Sequence, residues 1–176
     1  GIDLGARVLE RLRSCTCLPA LTLVSEREAR DRTRKWRVRL GDVDVETVMI
    51  PQRQRTTVCI SSQSGCTRAC VFCATAQMRY CRALSAGEMV AQVLYARGHA
   101  CADNVVFMGM GEPLDNVREV LHAITILEDG LGIGGAHGTV STSGVVPAMR
   151  VFLRASRAHL ALSLHAAKDG LREELV

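Results

Sequence analysis

The residues best suited to chemistry lie in the stretch Gly65-Cys66-Thr67-Arg68-Ala69-Cys70-Val71-Phe72-Cys73. Three cysteines at C-x3-C-x2-C spacing reach one centre only if the backbone wraps around it as a loop. A helix would carry the third away from the face shared by the first two. Thiolates gathered in a loop suit a soft metal or an iron–sulfur cluster. A closed zinc site or an ordinary cluster takes four protein ligands, so three leave one metal position for a substrate or cofactor. The competing assignment is a zinc loop that borrows a fourth ligand, Cys59 or Cys81.

Alternating strands and helices must position this loop. Thr57–Ser61 is a short β-rich run leading into it, with Val58 and Ile60 on one side and Cys59 on the other. Beyond it, Ser85 and Glu88 form a capping box ahead of an apolar stripe of Met89, Val93 and Leu94. Asn104–Met108 reads as a strand ending in Gly109-Met110-Gly111-Glu112-Pro113-Leu114. Residues 117–127 read as a helix closed by Gly130. Thr139–Gly144 reads as a strand end, Pro147 to about Leu153 as a helix, His159–Leu164 as a strand, and a final helix begins near Lys168. This alternation predicts an α/β fold, a partial barrel of about four parallel strands with right-handed crossovers. Parallel barrels place their chemistry at the C-terminal strand ends. The cysteine loop, Gly111-Glu112, Ser141 with Ser143, and Ser163 with His165 all fall there. Taken singly, Glu112 could be a helix cap, Ser141 a turn residue and His165 a loop histidine.

Upstream, Trp36–Leu40, the turn Gly41-Asp42 and Val43–Ile50 read as a hairpin. Val43, Val45, Thr47 and Met49 share one face of the second strand, and Asp44, Glu46, Val48 and Ile50 the other. A carboxyl among aliphatics can have its pKa raised towards general-base duty, so Glu46 is a candidate base, although most strand glutamates face water. Residues 26–39 carry seven Arg and Lys residues around Trp36. That pattern fits either a surface that tracks phosphates and stacks bases or a solvated helix or hairpin with Trp36 as packing anchor. Leu4, Val8, Leu9 and Leu12 show helical spacing, broken by Cys15-Thr16-Cys17-Leu18-Pro19, whose two cysteines lie too close together to form a metal pair easily. The organisation predicted is a helical remnant over 1–20, a hairpin extension over 21–56 and the N-terminal part of a barrel over 57–176.

At 176 residues the chain has the size of one ordinary domain, and no apolar run is long enough to span a membrane. With eight cysteines but three of them clustered, a reducing cytoplasm is expected rather than a disulfide scaffold. The first residue is Gly1 and the last run is Glu173-Glu174-Leu175-Val176, so a piece of a longer protein is expected.

Five motifs together carry a resemblance. They are Cys59-Ile60-Ser61-Ser62-Gln63-Ser64-Gly65-Cys66, Cys70-Val71-Phe72-Cys73-Ala74-Thr75, Met108-Gly109-Met110-Gly111-Glu112-Pro113-Leu114, Ser141-Thr142-Ser143-Gly144-Val145-Val146-Pro147 and Ala161-Leu162-Ser163-Leu164-His165-Ala166. In order and spacing, from about Leu21 onward, the chain resembles the bacterial dual-specificity RNA methyltransferases of the radical S-adenosylmethionine superfamily, which methylate adenosine C2 in 23S rRNA and tRNA. The resemblance implies that Cys66, Cys70 and Cys73 hold a 4Fe-4S cluster. It implies that Gly111 and Glu112 bind the amino group of S-adenosyl-L-methionine, and that Ser141 with Ser163, Leu164 and His165 lines its nucleoside side. Glu46 matches the family's general base. Cys59 matches the cysteine that releases the RNA by forming a disulfide with a second, C-terminal cysteine. An electron donor such as flavodoxin or ferredoxin is implied, and no membrane.

The match has gaps. No cysteine follows Cys101, so the methyl-carrying cysteine of the family is absent, as is an S-adenosylmethionine-contacting asparagine. Arg79 stands where glycine is common. This segment is therefore expected not to turn over alone. Three other readings compete: the sister enzymes that methylate adenine C8, a non-catalytic cluster- or RNA-binding remnant, and a structural zinc module. The wording of the Met108–Pro113 and Ser141–Gly144 motifs favours C2.

Overall fold

The structure is a computed structural model that describes residues 5–15 and 19–176, with every side chain among them except that of Arg13. The expectations that involve Leu4, Thr16, Cys17 and Leu18 lie outside the described residues. After helix α1 (Ala6–Cys15), the strands β1 (Leu21–Glu28), β2 (Arg34–Leu40) and β3 (Val43–Pro51) form an antiparallel meander. β3 pairs antiparallel with β4 (Thr56–Cys59), which begins a parallel array with β7 (Asn104–Phe107), β8 (Gly138–Thr142) and β9 (His159–Leu162). The whole is one seven-stranded sheet in the order β1-β2-β3-β4-β7-β8-β9. Four parallel strands therefore match the expectation, while the hairpin is in fact three strands continuous with the parallel array.

Helices α2 (Ala86–Arg97), α3 (Val117–Leu131) and α4 (Val146–Ala155) connect the parallel strands, and α5 (Asp169–Leu175) follows β9. The Ser85 and Glu88 side chains make the reciprocal capping bonds that the sequence predicts for α2. α3 does not stop at Gly130. It runs on to Leu131 and closes at Gly132, whose φ of 68° is the left-handed conformation that ends helices. Gly130 has a helical position instead, which costs propensity but forbids nothing.

Along β2, β3, β7 and β8 every second residue points into one core. Val38, Val45, Val58, Val105, Phe107 and Val140 meet Met89, Val93, Val120 and Leu127 from the helices. Trp36 is fully buried in this core, its ring edge-on to Tyr95 at 5.3 Å and tilted over His99 at 4.9 Å. The base-stacking reading of the 26–39 run is thus wrong. Along β2 Lys35, Arg37 and Arg39 point outward while Trp36, Val38 and Leu40 point inward. An aromatic ring of this size buries about 150–250 Å² of surface, which at ~25 cal/mol per Å² contributes on the order of 4–6 kcal/mol. The packing-anchor reading holds.

Candidate functional site

Strand alternation leaves the other face of the sheet half-open. Cys59 lies opposite Val48 and Val106, Val106 opposite Thr139, and Ser141 opposite Ala161. Paired residues point to the same face, and Glu46 lies two residues before Val48 on that face. The register therefore gathers Glu46, Cys59 and Ser141 on one side. Ser163 joins them, its hydroxyl 3.1 Å from that of Ser141.

At the C-terminal end of this face sits the cysteine loop. Its base is gripped by the two-residue strands β5 (Gln63–Ser64) and β6 (Arg82–Ala83), which pair antiparallel across it. Cys66, Cys70 and Cys73 are all free and half-buried. Burial is the main influence that raises the Cys66 thiol pKa, with Cys70, Cys73 and Glu112 adding to it and the Arg68 amide opposing. Burial and then Cys73 raise that of Cys70, while Arg68 works the other way. Among the described residues, no three His, Cys, Asp or Glu side chains are drawn to a single metal-holding point. The donor chemistry nonetheless fits a thiolate-bound cluster: three free thiols on one loop feel each other's charge, and a cationic iron core between them would relieve that repulsion. The zinc alternative gains nothing, since neither Cys59 nor Cys81 joins the three loop cysteines at one metal-holding point among the described residues.

Glu112 lies between this loop and the end of β8. Its carboxylate is buried, 4% exposed, and accepts the Leu114 amide at 2.9 Å and the Ser143 amide at 2.8 Å. The cap reading and the site reading both apply, because Glu112 opens the single 3-10 turn Pro113–Asn116. Gly111 precedes it with φ of 101°, and a Cβ there would stand 2.5 Å from the Gln63 Cβ, so only glycine lets the chain turn at this point. His165 also adopts a positive φ, 60°, rare for a residue with a Cβ, and its ring lies 4.7 Å from that of Phe72 in the cysteine loop. Leu164 is exposed beside it.

Glu46 is not in the apolar setting that its sequence neighbours suggest. It forms a 2.7 Å ion pair with Lys35 from β2, and with Lys35, Arg37, Asp44 and Met110 it lines a cavity of about 290 Å³. Burial raises the pKa of the Cys59 thiol, the Met108 backbone partly opposing. All the described cysteines are free, so the disulfide implied for Cys59 is not present among them.

A family model for the Radical SAM superfamily matches residues 60–175. The chain belongs to this superfamily. It is also 43% identical over 180 residues to the dual-specificity RNA methyltransferase RlmN of Halorhodospira halophila (strain DSM 244 / SL1), covering 99% of this chain and 50% of that protein. The solved structure of a radical SAM methyltransferase from Sphaerobacter thermophilus matches with a TM-score of 0.88 at 40% identity, over 98% of this chain and 54% of that one. The chain thus spans about half the length of each of these relatives.

Within this candidate site, the sequence pattern gave no warning of four residues. Gln63 accepts the Glu112 amide at 2.9 Å through its side-chain oxygen. Asp115 takes the Thr67 hydroxyl at 2.5 Å and pairs with Arg68. Asn116 donates to the Ser62 and Leu84 carbonyls. The Arg172 guanidinium donates to the Ser143 carbonyl. Gln63 lies inside one of the five motifs and Asp115 and Asn116 directly follow another, whereas Arg172 stands apart from all of them.

Proposed function

We propose that this chain is the cluster- and S-adenosylmethionine-binding segment of an RNA methyltransferase that modifies C2 of adenosine in 23S rRNA and tRNA. The observation that carries the reading is Glu112, a buried carboxylate held by two amides directly beside the cysteine loop. A carboxylate offers about four acceptor positions, so each oxygen keeps one after its amide bond. That remaining acceptor capacity suits an amino group.

Cys66, Cys70 and Cys73 are the residues that hold the 4Fe-4S cluster. When bound, the cluster and S-adenosylmethionine supply one-electron chemistry and the methyl group. Gly111 lets the backbone approach, Glu112 accepts the ammonium of the cofactor, and the Ser141 and Ser163 hydroxyls, with Leu164 and His165, line its nucleoside side. On the same open face Glu46 takes up the proton that adenine C2 loses, with Lys35 holding the carboxylate in place. Cys59, kept as a thiol by its burial, is the group that releases the RNA. The family's C-terminal methyl-carrying cysteine, its disulfide partner, is not in this sequence, where no cysteine follows Cys101. The other partner is a small one-electron donor such as flavodoxin or ferredoxin, and the setting is the reducing cytoplasm. No helix among the described residues is long and apolar enough to cross a membrane.

The test is nucleoside mass analysis of rRNA and tRNA from cells that lack their own adenine-C2 methyltransferase and express the complete reading frame containing this segment. The reading expects 2-methyladenosine in both RNAs and its loss in the Glu112→Ala variant. Appearance of 8-methyladenosine instead assigns the protein to the C8 group, and neither product assigns it to the non-catalytic remnants.

A further inference from the structure

The cysteine loop carries a charged clamp that the proposed chemistry has not used. Both oxygens of Asp115 are taken by this loop, one by the Thr67 hydroxyl at 2.5 Å and the other by the Arg68 guanidinium. Asp115 itself stands on a rigid support. Its amide donates to the Glu112 carbonyl at 3.1 Å. The next residue, Asn116, is buried and donates to Ser62 at 3.1 Å and Leu84 at 2.7 Å, just outside the two short strands that grip the loop. The far side of the loop is held separately, by the Val71 amide on the Leu175 carbonyl at 3.1 Å.

Arg68 lies between Cys66 and Cys70, and its backbone amide points at the Cys66 sulfur at 3.4 Å. Its side-chain Nε is buried and has no hydrogen-bond partner among the described residues. Such orphan donors are rare and call for an explanation. Arginine keeps its charge at any working pH, so the clamp fixes an Arg68–Asp115 ion pair beside the loop, with the Arg68 charge acting on the Cys70 thiol and one donor, Nε, left over. Charge and hydrogen bonds near thiolate ligands set the potential of an iron–sulfur cluster.

We propose that Arg68, held by Asp115, is a positioning residue that seats the cysteine loop against the Glu112 segment and raises the reduction potential of the cluster bound there. The proposal rests on the cluster reading above. Electron uptake makes the cluster more negative, and a fixed cation beside it stabilises that reduced state.

Two measurements on the full chain test it. In the metal-free protein, alkylation of Cys66, Cys70 and Cys73 by iodoacetamide is followed by peptide mass analysis. Asp115→Asn, a nearly isosteric change at a partly exposed residue, is expected to raise the rates several-fold, and Thr67→Val less. Unchanged rates overturn the clamp. In protein reconstituted with iron and sulfide, Arg68→Gln is expected to shift the midpoint potential to more negative values, with Arg68→Lys recovering part of the shift. An Arg68→Gln potential equal to that of the unaltered chain overturns the tuning role. If the unaltered chain takes up no iron, the cluster reading and the tuning role fail together, and the alkylation rates still decide the clamp.

Discussion

Replacing Glu112 with glutamine changes one atom and should destabilise the fold measurably. The carboxylate is 4% exposed and accepts two amides, from Leu114 at 2.9 Å and Ser143 at 2.8 Å. Glutamine keeps one acceptor and turns an NH2 group against the other amide, leaving two donors facing each other. A bond to a charged group contributes about 1.5–3 kcal/mol, and a buried donor left unpaired costs about 1–3 kcal/mol. Against this, the neutral amide escapes the desolvation cost of a buried charge that forms no ion pair among the described residues. The balance leaves a loss of about 1–3 kcal/mol. At an m value of roughly 2 kcal/mol per molar for urea, the unfolding midpoint falls by about 1 M. Circular dichroism against urea reads this directly. A Glu112→Gln midpoint equal to or above that of the unaltered chain would refute the argument, because the carboxylate would then be carried at a net cost to stability rather than held by the two amides.

Three further outcomes are expected. Gln92 is fully buried and joins the Thr47 hydroxyl, the Ser61 amide and the Ser61 carbonyl in one knot between α2 and the sheet. Gln92→Leu orphans all three groups and should cost at least ~2 kcal/mol, lowering Tm by about 4–8 °C; a shift under about 1 °C in a thermal melt would contradict this. Cys59, its thiol pKa raised by burial, should alkylate more slowly at pH 8 than exposed Cys81 or Cys101, and equal rates in the same digest would contradict the buried placement. Asp44 is held below the usual carboxylate range first by its hydrogen bond from Arg39, with Arg37 assisting and burial opposing. A carboxyl depressed in the folded state stabilises fully above the unfolded value of about 3.9 and loses that contribution as pH falls through its folded value. Asp44→Asn should therefore flatten the loss of stability below about pH 4, a slope measurable by urea titration at several pH values.

The elements most legible in the sequence were those whose side-chain pattern reports burial. β3 alternates Val43, Val45, Thr47 and Met49 inward, and that period of two was visible from the residues alone. The Ser85–Glu88 box marked the start of α2 because its two bonds are local. β1 escaped notice for the opposite reason. Seven of its eight residues are exposed, so its backbone pairing with β2 leaves no trace in its side chains. Trp36 sat in a charged run that suggested solvent, yet Lys35, Arg37 and Arg39 alternate with it along the strand and Trp36 goes inward with Val38 and Leu40. In the site, the cysteine spacing and the Gly111-Glu112 turn could be read because their geometry is set within a few residues. Gln63, Asp115 and Arg172 could not. Each acts on a partner 29 to 49 residues away, and only the closed sheet brings them together.

The central claim is that Cys66, Cys70 and Cys73 hold a cluster which S-adenosylmethionine then joins beside Glu112. Anaerobic reconstitution with ferrous iron and sulfide, followed by electron paramagnetic resonance of the reduced protein with and without S-adenosylmethionine, tests it most directly. The account predicts a 4Fe-4S signal that changes when S-adenosylmethionine is added, that is lost in Cys66→Ala, Cys70→Ala and Cys73→Ala alike, and that survives Cys81→Ala. A colourless protein that retains zinc, or a cluster that persists without Cys73, would contradict it.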